Sequence, residues 1–326
     1  MRGLNQSGFC SYDPGFANTA GCQSAISWID TENSVLLHRG YPVDQLARQC
    51  DFLKVAYIML NGDAPDEASY QTFRETITRH TLVHEQIARM CSGFRRYSHP
   101  MALMCALVGA LAAFYHDVLD VENPQHRALA ATRLLSKMPT IAAMSYKYTI
   151  EQPAAYPRND LSYAGNFLQM LFAIPAEKYV LNPVIEQAMN KILVLHADHG
   201  QCASTTTVRA AGSSGANLFA CVAAGLASLW GPMHGGANES SMRMLEEIES
   251  VDQVPAFLRQ AKRDPQAFRR LGFGNSRYRH RDPRADILRE TSHRVLAEVG
   301  MSDRLLQVAM ALEDVALTDP YFVDNG

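Results

Sequence analysis

The amino-acid sequence predicts an all-α fold with a short N-terminal β-hairpin, and three observations carry that expectation. Apolar residues recur at helical spacing from about Phe52 onward. Strand-like alternation is confined to the part of the chain before that point. One apolar run, MALMCALVGALAAF, is hydrophobic nearly all round, as a helix inside a core is and a surface helix is not.

The elements follow in order. YDPGF and Asn18-Thr19-Ala20-Gly21 punctuate a turn-rich start. Ile26, Trp28 and Val35-Leu36-Leu37 have the alternation of a small hairpin. Pro42 then suits the first turn of a helix from Val43, because its fixed φ is already helical. LKVAYIMLNG is a helix closed by Asn61-Gly62, and APDEASYQTFRETITRH and HEQIARMCSGFRRY are amphipathic. HRALAATRLLSKMPTIAAMSYKYTI divides into two helices at Pro139, since proline lacks an amide donor and crowds the preceding turn. NPVIEQAMNKILVLHADHG is a further helix that runs into the centre of the chain. Beyond Glu249 the composition becomes far more charged. A domain boundary is therefore expected near residue 247, with a large helical domain at 1–246 and a small one at 247–326.

Composition excludes several classes of function. With 326 residues, 47% hydrophobic and 19% charged, the chain can bury a sizeable core. A formal net charge of −3 gives no general attraction to nucleic acid or to an anionic membrane. The longest apolar runs, Met101–Tyr115 and Leu218–Trp230, fall short of the roughly 20 residues that span a bilayer. The start, MRGLNQSGFCSYDPG, has no apolar signal core. Seven scattered cysteines without a C-x-x-C pair suit reduced thiols, so a cytoplasmic location is expected.

The chemistry concentrates between Leu195 and Glu239. His196 and His199 open this stretch, and His234 sits in the turn Gly-Pro-Met-His-Gly-Gly. Between them lies a run of Ala, Gly, Ser and Thr, residues small enough to let helices approach closely. Met242, Met244, Leu245 and Ile248 are spaced like one face of a helix, which places His234 at or just before its N-terminus. There the helix dipole disfavours an imidazolium, and a neutral ring can donate an N–H to a polarised carbonyl. The alternative is a turn residue that satisfies local backbone groups, and spacing alone does not decide between them.

His196 and His199, flanking Asp198, could be a metal pair or hydrogen-bonded residues of a cleft wall. No third ligand or H-E-x-x-H pattern accompanies them, so no metal is expected. Arg277, Arg279, Arg281 and Arg284 crowd RYRHRDPR. Guanidinium groups bind carboxylates and phosphates bidentately, although such a run can also be a solvated loop. Without interleaved aromatics it is no nucleic-acid patch, and the G-x-G of LGFGN follows no strand and is no dinucleotide fingerprint. The residues alone support a His-lined, Arg-flanked cleft for a small anion and give no reaction.

Taken together, YDPGF, LHRGYPVDQLA, RHTLVHEQIAR, YPRNDLSYAGNF, LHADHGQ, TVRAAGSSGAN, LWGPMHGGANE and DPRA resemble, in order, the blocks of the citrate synthase family, most of all its bacterial hexameric branch. The resemblance implies a two-domain helical fold and condensation of acetyl-CoA with oxaloacetate to citrate and CoA. It implies no bound cofactor, acetyl-CoA being the co-substrate, and a homodimer or hexamer. By the same resemblance His234 is the enol-stabilising histidine, His196 and His199 lie beside oxaloacetate, and Arg284 clamps a substrate carboxylate. Arg277 and Arg279 would meet the phosphates of coenzyme A.

The chain also departs from the family pattern. GFGNSRY places Asn275 where the family has a second catalytic histidine, and Gly200 stands where Glu is usual. The sequence given ends at DPYFVDNG, before the family's catalytic Asp and two further substrate arginines, and it lacks the N-terminal β-rich segment that goes with NADH inhibition. Three functions are therefore weighed: condensation with oxaloacetate, condensation with another 2-oxo acid, and a non-catalytic paralogue in a mixed oligomer with a full-length subunit.

Overall fold

Backbone chemistry sets the start of the fold. The computed structural model describes residues 21–263, 278, 281–300 and 304–325. Strands β1 (Ser27–Asp30), β2 (Val35–His38) and β3 (Tyr41–Pro42) form an antiparallel sheet in the order β1-β2-β3. The Asp30 carboxylate accepts the amides of Glu32 and Asn33, both at 3.0 Å, which turns the chain between β1 and β2. The expected hairpin thus gains a two-residue third strand, paired through Leu37 with Pro42 and His38 with Tyr41. Pro42 costs that strand no ladder bond at the sheet edge and sets up α1 (Val43–Gln49).

Caps mark the next helices. In α2 (Phe52–Asn61), Asp51 accepts the Lys54 amide at the start and Gly62, at φ 97°, closes the end. There follow α3 (Glu67–Arg79), α4 (Glu85–Met90) and α5 (Pro100–Phe114), the last with Leu103, Leu107, Val108 and Leu111 wholly buried, as its composition requires.

The expected break at Pro139 does not occur: α6 runs unbroken over Pro124–Thr149. Proline at 139 leaves the Leu135 carbonyl without its amide partner, and the Tyr163 hydroxyl donates to that oxygen instead, at 2.8 Å. A tertiary contact replaces the lost helix bond. The same helix holds the loop after α3. The buried Lys137 ammonium donates to the carbonyls of His80 (2.6 Å) and Leu82 (2.8 Å), and Thr140 donates to that of Thr81 (2.8 Å).

The chain continues through α7 (Tyr163–Phe172), α8 (Pro183–Leu195), α9 (Ala203–Gly212), α10 (Leu218–Leu229), α11 (Ala237–Glu247) and α12 (Val254–Ala261), then α13 (Ala285–Val299), α14 (Arg304–Thr318) and α15 (Pro320–Asn325). Helices α9 and α10 show why the small residues are there. A Cβ on Gly225 would lie 2.5 Å from Val208 Cγ2, so any larger residue would push the two helices apart.

Three principal cores result. The largest joins Leu103, Leu107, Ile141 and Met144 with Phe219 and Leu226 of α10. A second lies under the sheet, where Leu36, Val43, Leu46 and Val55 meet Val194, Leu195 and Ile287. The third collects Met244, Ile248, Val254, Leu258, Val308, Leu312 and Phe322. Apolar residues from both sides of residue 247 build this third core, and α13 contributes Ile287 to the second. The charged stretch beyond Glu249 therefore feeds two cores. No helix among the described residues is long and apolar enough to cross a membrane.

Candidate active site

The site begins where α8 stops. The His196 ring donates from Nδ1 to the Ile192 carbonyl (2.7 Å) and stays exposed at the helix end. Asp198 then accepts the Gly200 amide (2.8 Å), and Gly200 takes φ 73°, a left-handed conformation that strains any other residue. This accounts for glycine where a bulkier side chain was expected. The turn carries His199 inward, where its Nε2 lies 2.8 Å from the hydroxyl of the buried Tyr278, with the ring centroids 5.6 Å apart.

The start of α13 supplies the charge. Arg284 grips Asp282 through Nε (2.9 Å) and Nη2 (2.6 Å), a bidentate pair that leaves Nη1 without a bond among the described residues. Burial pushes the Asp282 carboxyl up, but the hydrogen bonds from Arg284 and the charges of Arg284 and His199 outweigh it and hold Asp282 below the usual carboxylate range. Asp282 therefore stays ionised and orients the guanidinium.

Sequence reasoning missed His38. It is fully buried at the end of β2, with Nδ1 2.9 Å from the Ser27 hydroxyl and Nε2 unpartnered among the described residues. Burial, the larger effect, holds its pKa down; the Asp198 carboxylate opposes this and the Arg284 guanidinium adds to it. His38 therefore stands close to the Asp198 and Arg284 charges. The signal was the two-residue period of VLLH, which turns Leu36 and His38 to the same interior face.

His234 is fixed by its turn. A Cβ on Gly235 would meet the Leu229 carbonyl at 2.6 Å, and one on Gly236 the carbonyls of Trp230 and Gly231 at 2.9 Å. Only glycine lets the chain coil back so tightly on the end of α10. The His234 amide donates to the Gly231 carbonyl (3.0 Å), and the His234 carbonyl accepts from the Ala237 amide (3.1 Å), at the first residue of α11. The expected position just before a helix is the observed one. Outside the turn, His99 stacks on Trp230 with centroids 5.0 Å apart and reaches Glu239 at 3.3 Å, tying α11 to the start of α5.

The His234 Nε2 lies 2.8 Å from the Ser204 hydroxyl in the first turn of α9. Its Nδ1 makes no bond among the described residues. The segment from His199 to Ser204 thus links two clusters: His199 with Tyr278, and His234 with Ser204. His196 joins neither. Asn275, Arg277 and Arg279 lie outside the described residues. Arg281 is engaged with Asp286 (2.8 Å).

Known proteins resemble the chain as a whole. Residues 15–326 match the family described as citrate synthase, C-terminal domain. The chain belongs to the citrate synthase family. Its fold is similar to citrate synthase from Pyrobaculum aerophilum, with TM-score 0.87 and 30% identity over 96% of this chain and 78% of that one. It is also similar to citrate synthase from Thermotoga maritima, with TM-score 0.78 and 28% identity over 94% and 78% of the two chains. A third similar structure is the ternary complex of carboxymethyl coenzyme A and oxaloacetate with citrate synthase from Thermoplasma acidophilum. There the TM-score is 0.84 at 25% identity, over 94% and 79%. The expected helical citrate synthase fold with a short sheet is the one observed, and the family is one of acyl-transferring enzymes.

Proposed function

We propose that this chain condenses acetyl-CoA with oxaloacetate to give citrate and coenzyme A, as a citrate synthase. The observation that carries the reading is the state of His234. Its Nε2 meets the Ser204 hydroxyl, its Nδ1 makes no bond among the described residues, and it sits just ahead of α11. A neutral imidazole so placed can donate from Nδ1 to a thioester oxygen.

The chemistry follows from the residues. The Nη1 of Arg284, unbonded among the described residues, takes a carboxylate of the oxo acid, with the guanidinium held in place by Asp282. His199, oriented by Tyr278, forms the adjoining wall together with His196. A general base takes a methyl proton from acetyl-CoA, leaving an enolate whose oxygen His234 stabilises. The nucleophilic carbon attacks the ketone carbon of oxaloacetate, a carbon–carbon bond forms, and the carbonyl electron pair moves to oxygen. Water then cleaves the citryl thioester and releases coenzyme A. Asp282 is engaged with Arg284, and its part is to orient that guanidinium.

In the same reading Arg277 and Arg279 meet the coenzyme A phosphates and Asn275 donates to the oxo-acid carbonyl. The protein is a cytoplasmic homodimer or hexamer of the bacterial branch and needs no bound cofactor. The unit built on the core of Met244, Val254, Val308 and Leu312 is the one that closes on the substrates. The complex of the Thermoplasma acidophilum enzyme with oxaloacetate and a coenzyme A analogue supports this choice of substrates.

The test is release of free coenzyme A thiol from acetyl-CoA by the purified chain, with oxaloacetate and with a panel of other 2-oxo acids. Turnover preferring oxaloacetate is expected. Preference for another oxo acid would move the substrate, and silence with all of them would overturn the reading.

A further inference from the structure

Cys202 stands at the start of α9, between the His199 and His234 clusters. Its sulfur lies 3.2 Å from the Ser204 hydroxyl and 3.1 Å from that of Thr205. Ser204 Oγ is in turn 2.8 Å from His234 Nε2. A serine hydroxyl has one proton to donate. Here that proton has two takers, the Cys202 sulfur and the His234 nitrogen.

We propose that Cys202 is a positioning residue for His234, deciding through Ser204 which ring nitrogen of the histidine carries the proton. As a thiol, Cys202 donates to Ser204, and the Ser204 hydroxyl donates its own hydrogen bond to His234 Nε2. The ring proton then sits on Nδ1, which makes no bond among the described residues. As a thiolate, Cys202 accepts from both Ser204 and Thr205. Ser204 has then no proton for the ring, so Nε2 must carry one and Nδ1 becomes a bare acceptor. A bare acceptor cannot stabilise an enolate. That catalytic consequence rests on the proposed function; the tautomer itself does not.

The surroundings make both states accessible. Burial pulls the thiol up, but the hydroxyls of Ser204 and Thr205, and then their amides, outweigh it and bring Cys202 below the ordinary thiol range. The ionisable groups around it, among the described residues, are few. His234 comes from the turn before α11 and Asp198 and His199 from the preceding loop. Asp282 and Arg284 lie beyond His199 and neutralise each other. Helix α10, packed along α9, brings no ionisable side chain except Cys221.

The experiment uses the full chain labelled with nitrogen-15 at histidine. The two-bond proton–nitrogen correlation of His234 reads the tautomer, and His234→Asn assigns the signal by its loss. The titration runs from neutral to about pH 9.5, past the ordinary thiol range. Wild type is expected to pass from the Nδ1–H to the Nε2–H pattern, while C202S and C202A keep Nδ1–H throughout. Serine is a favoured helix cap, so C202S guards against misfolding. In the coenzyme A assay the wild-type kcat should fall on the alkaline side, on the order of 10²-fold when conversion is complete, with KM for the oxo acid unchanged. C202S should lack that limb. A wild-type tautomer that never changes, or a C202S shift at the same pH, would overturn the proposal. A tautomer shift in a chain without turnover would uphold it and refute the functional reading alone.

Discussion

Tyr163→Phe tests how a 26-residue helix survives an internal proline. The Leu135 carbonyl, robbed of its amide partner by Pro139, accepts the Tyr163 hydroxyl at 2.8 Å. Burial pushes that phenol far above its ordinary range, so it remains a donor at any working pH. Removing the hydroxyl leaves a buried carbonyl unsatisfied, which costs about 1–3 kcal/mol. The ring's packing on Phe52, with centroids 5.0 Å apart, is kept in phenylalanine. Pro139→Ala restores an amide donor for the same oxygen, so the hydroxyl becomes redundant. In the Pro139→Ala background Tyr163→Phe should therefore cost well under 1 kcal/mol, a coupling that a double-mutant cycle in urea reads directly. Equal cost in both backgrounds would refute the exchange of one donor for the other.

Other perturbations follow from the same geometry. Burial, and then the Arg133 charge, push the Lys137 ammonium down to about 8. The unfolded chain then holds more protons than the folded one between about pH 8 and 10.4, and stability relative to Lys137→Met should rise across that window. Denaturation of both proteins at several pH values checks this, and a constant difference would contradict it. His38 is likewise depressed, mainly by burial, so its contribution is full above about pH 6.5 and is lost as the unfolded ring takes up a proton below it. His38→Gln should flatten that acid limb in thermal melts between neutral and mildly acid pH. Gly235→Ala places a methyl 2.6 Å from the Leu229 carbonyl, and the forced shift of the turn should destabilise the chain by about 1–3 kcal/mol. Its melting temperature and kcat should fall together.

What the sequence made legible was local. The run of small residues through α9 and α10 announced close helix packing, and Gly225 against Val208 is that packing. The glycines around His234 announced a tight turn before a helix, which the 229–237 geometry realises. What stayed hidden was tertiary. Nothing near Pro139 shows that a hydroxyl 28 residues beyond Leu135 will replace the missing amide. His38 looked like any strand residue until Asp198 and Arg284 arrived from distant elements. The Ser204 bond to His234 joins two helix starts that no periodicity relates. Nor does the charge-rich stretch beyond Glu249 show that Ile287 and Val308 enter different cores.

The central claim is that His234 donates to the reacting carbonyl, and His234→Ala tests it most directly. Turnover with acetyl-CoA and oxaloacetate and calorimetric binding of oxaloacetate alone would be measured on both proteins. The account predicts a kcat lower by on the order of 10²–10³-fold in the variant, the loss expected for one oxyanion donor, with oxaloacetate binding within a few-fold. A variant that turns over like wild type would contradict it.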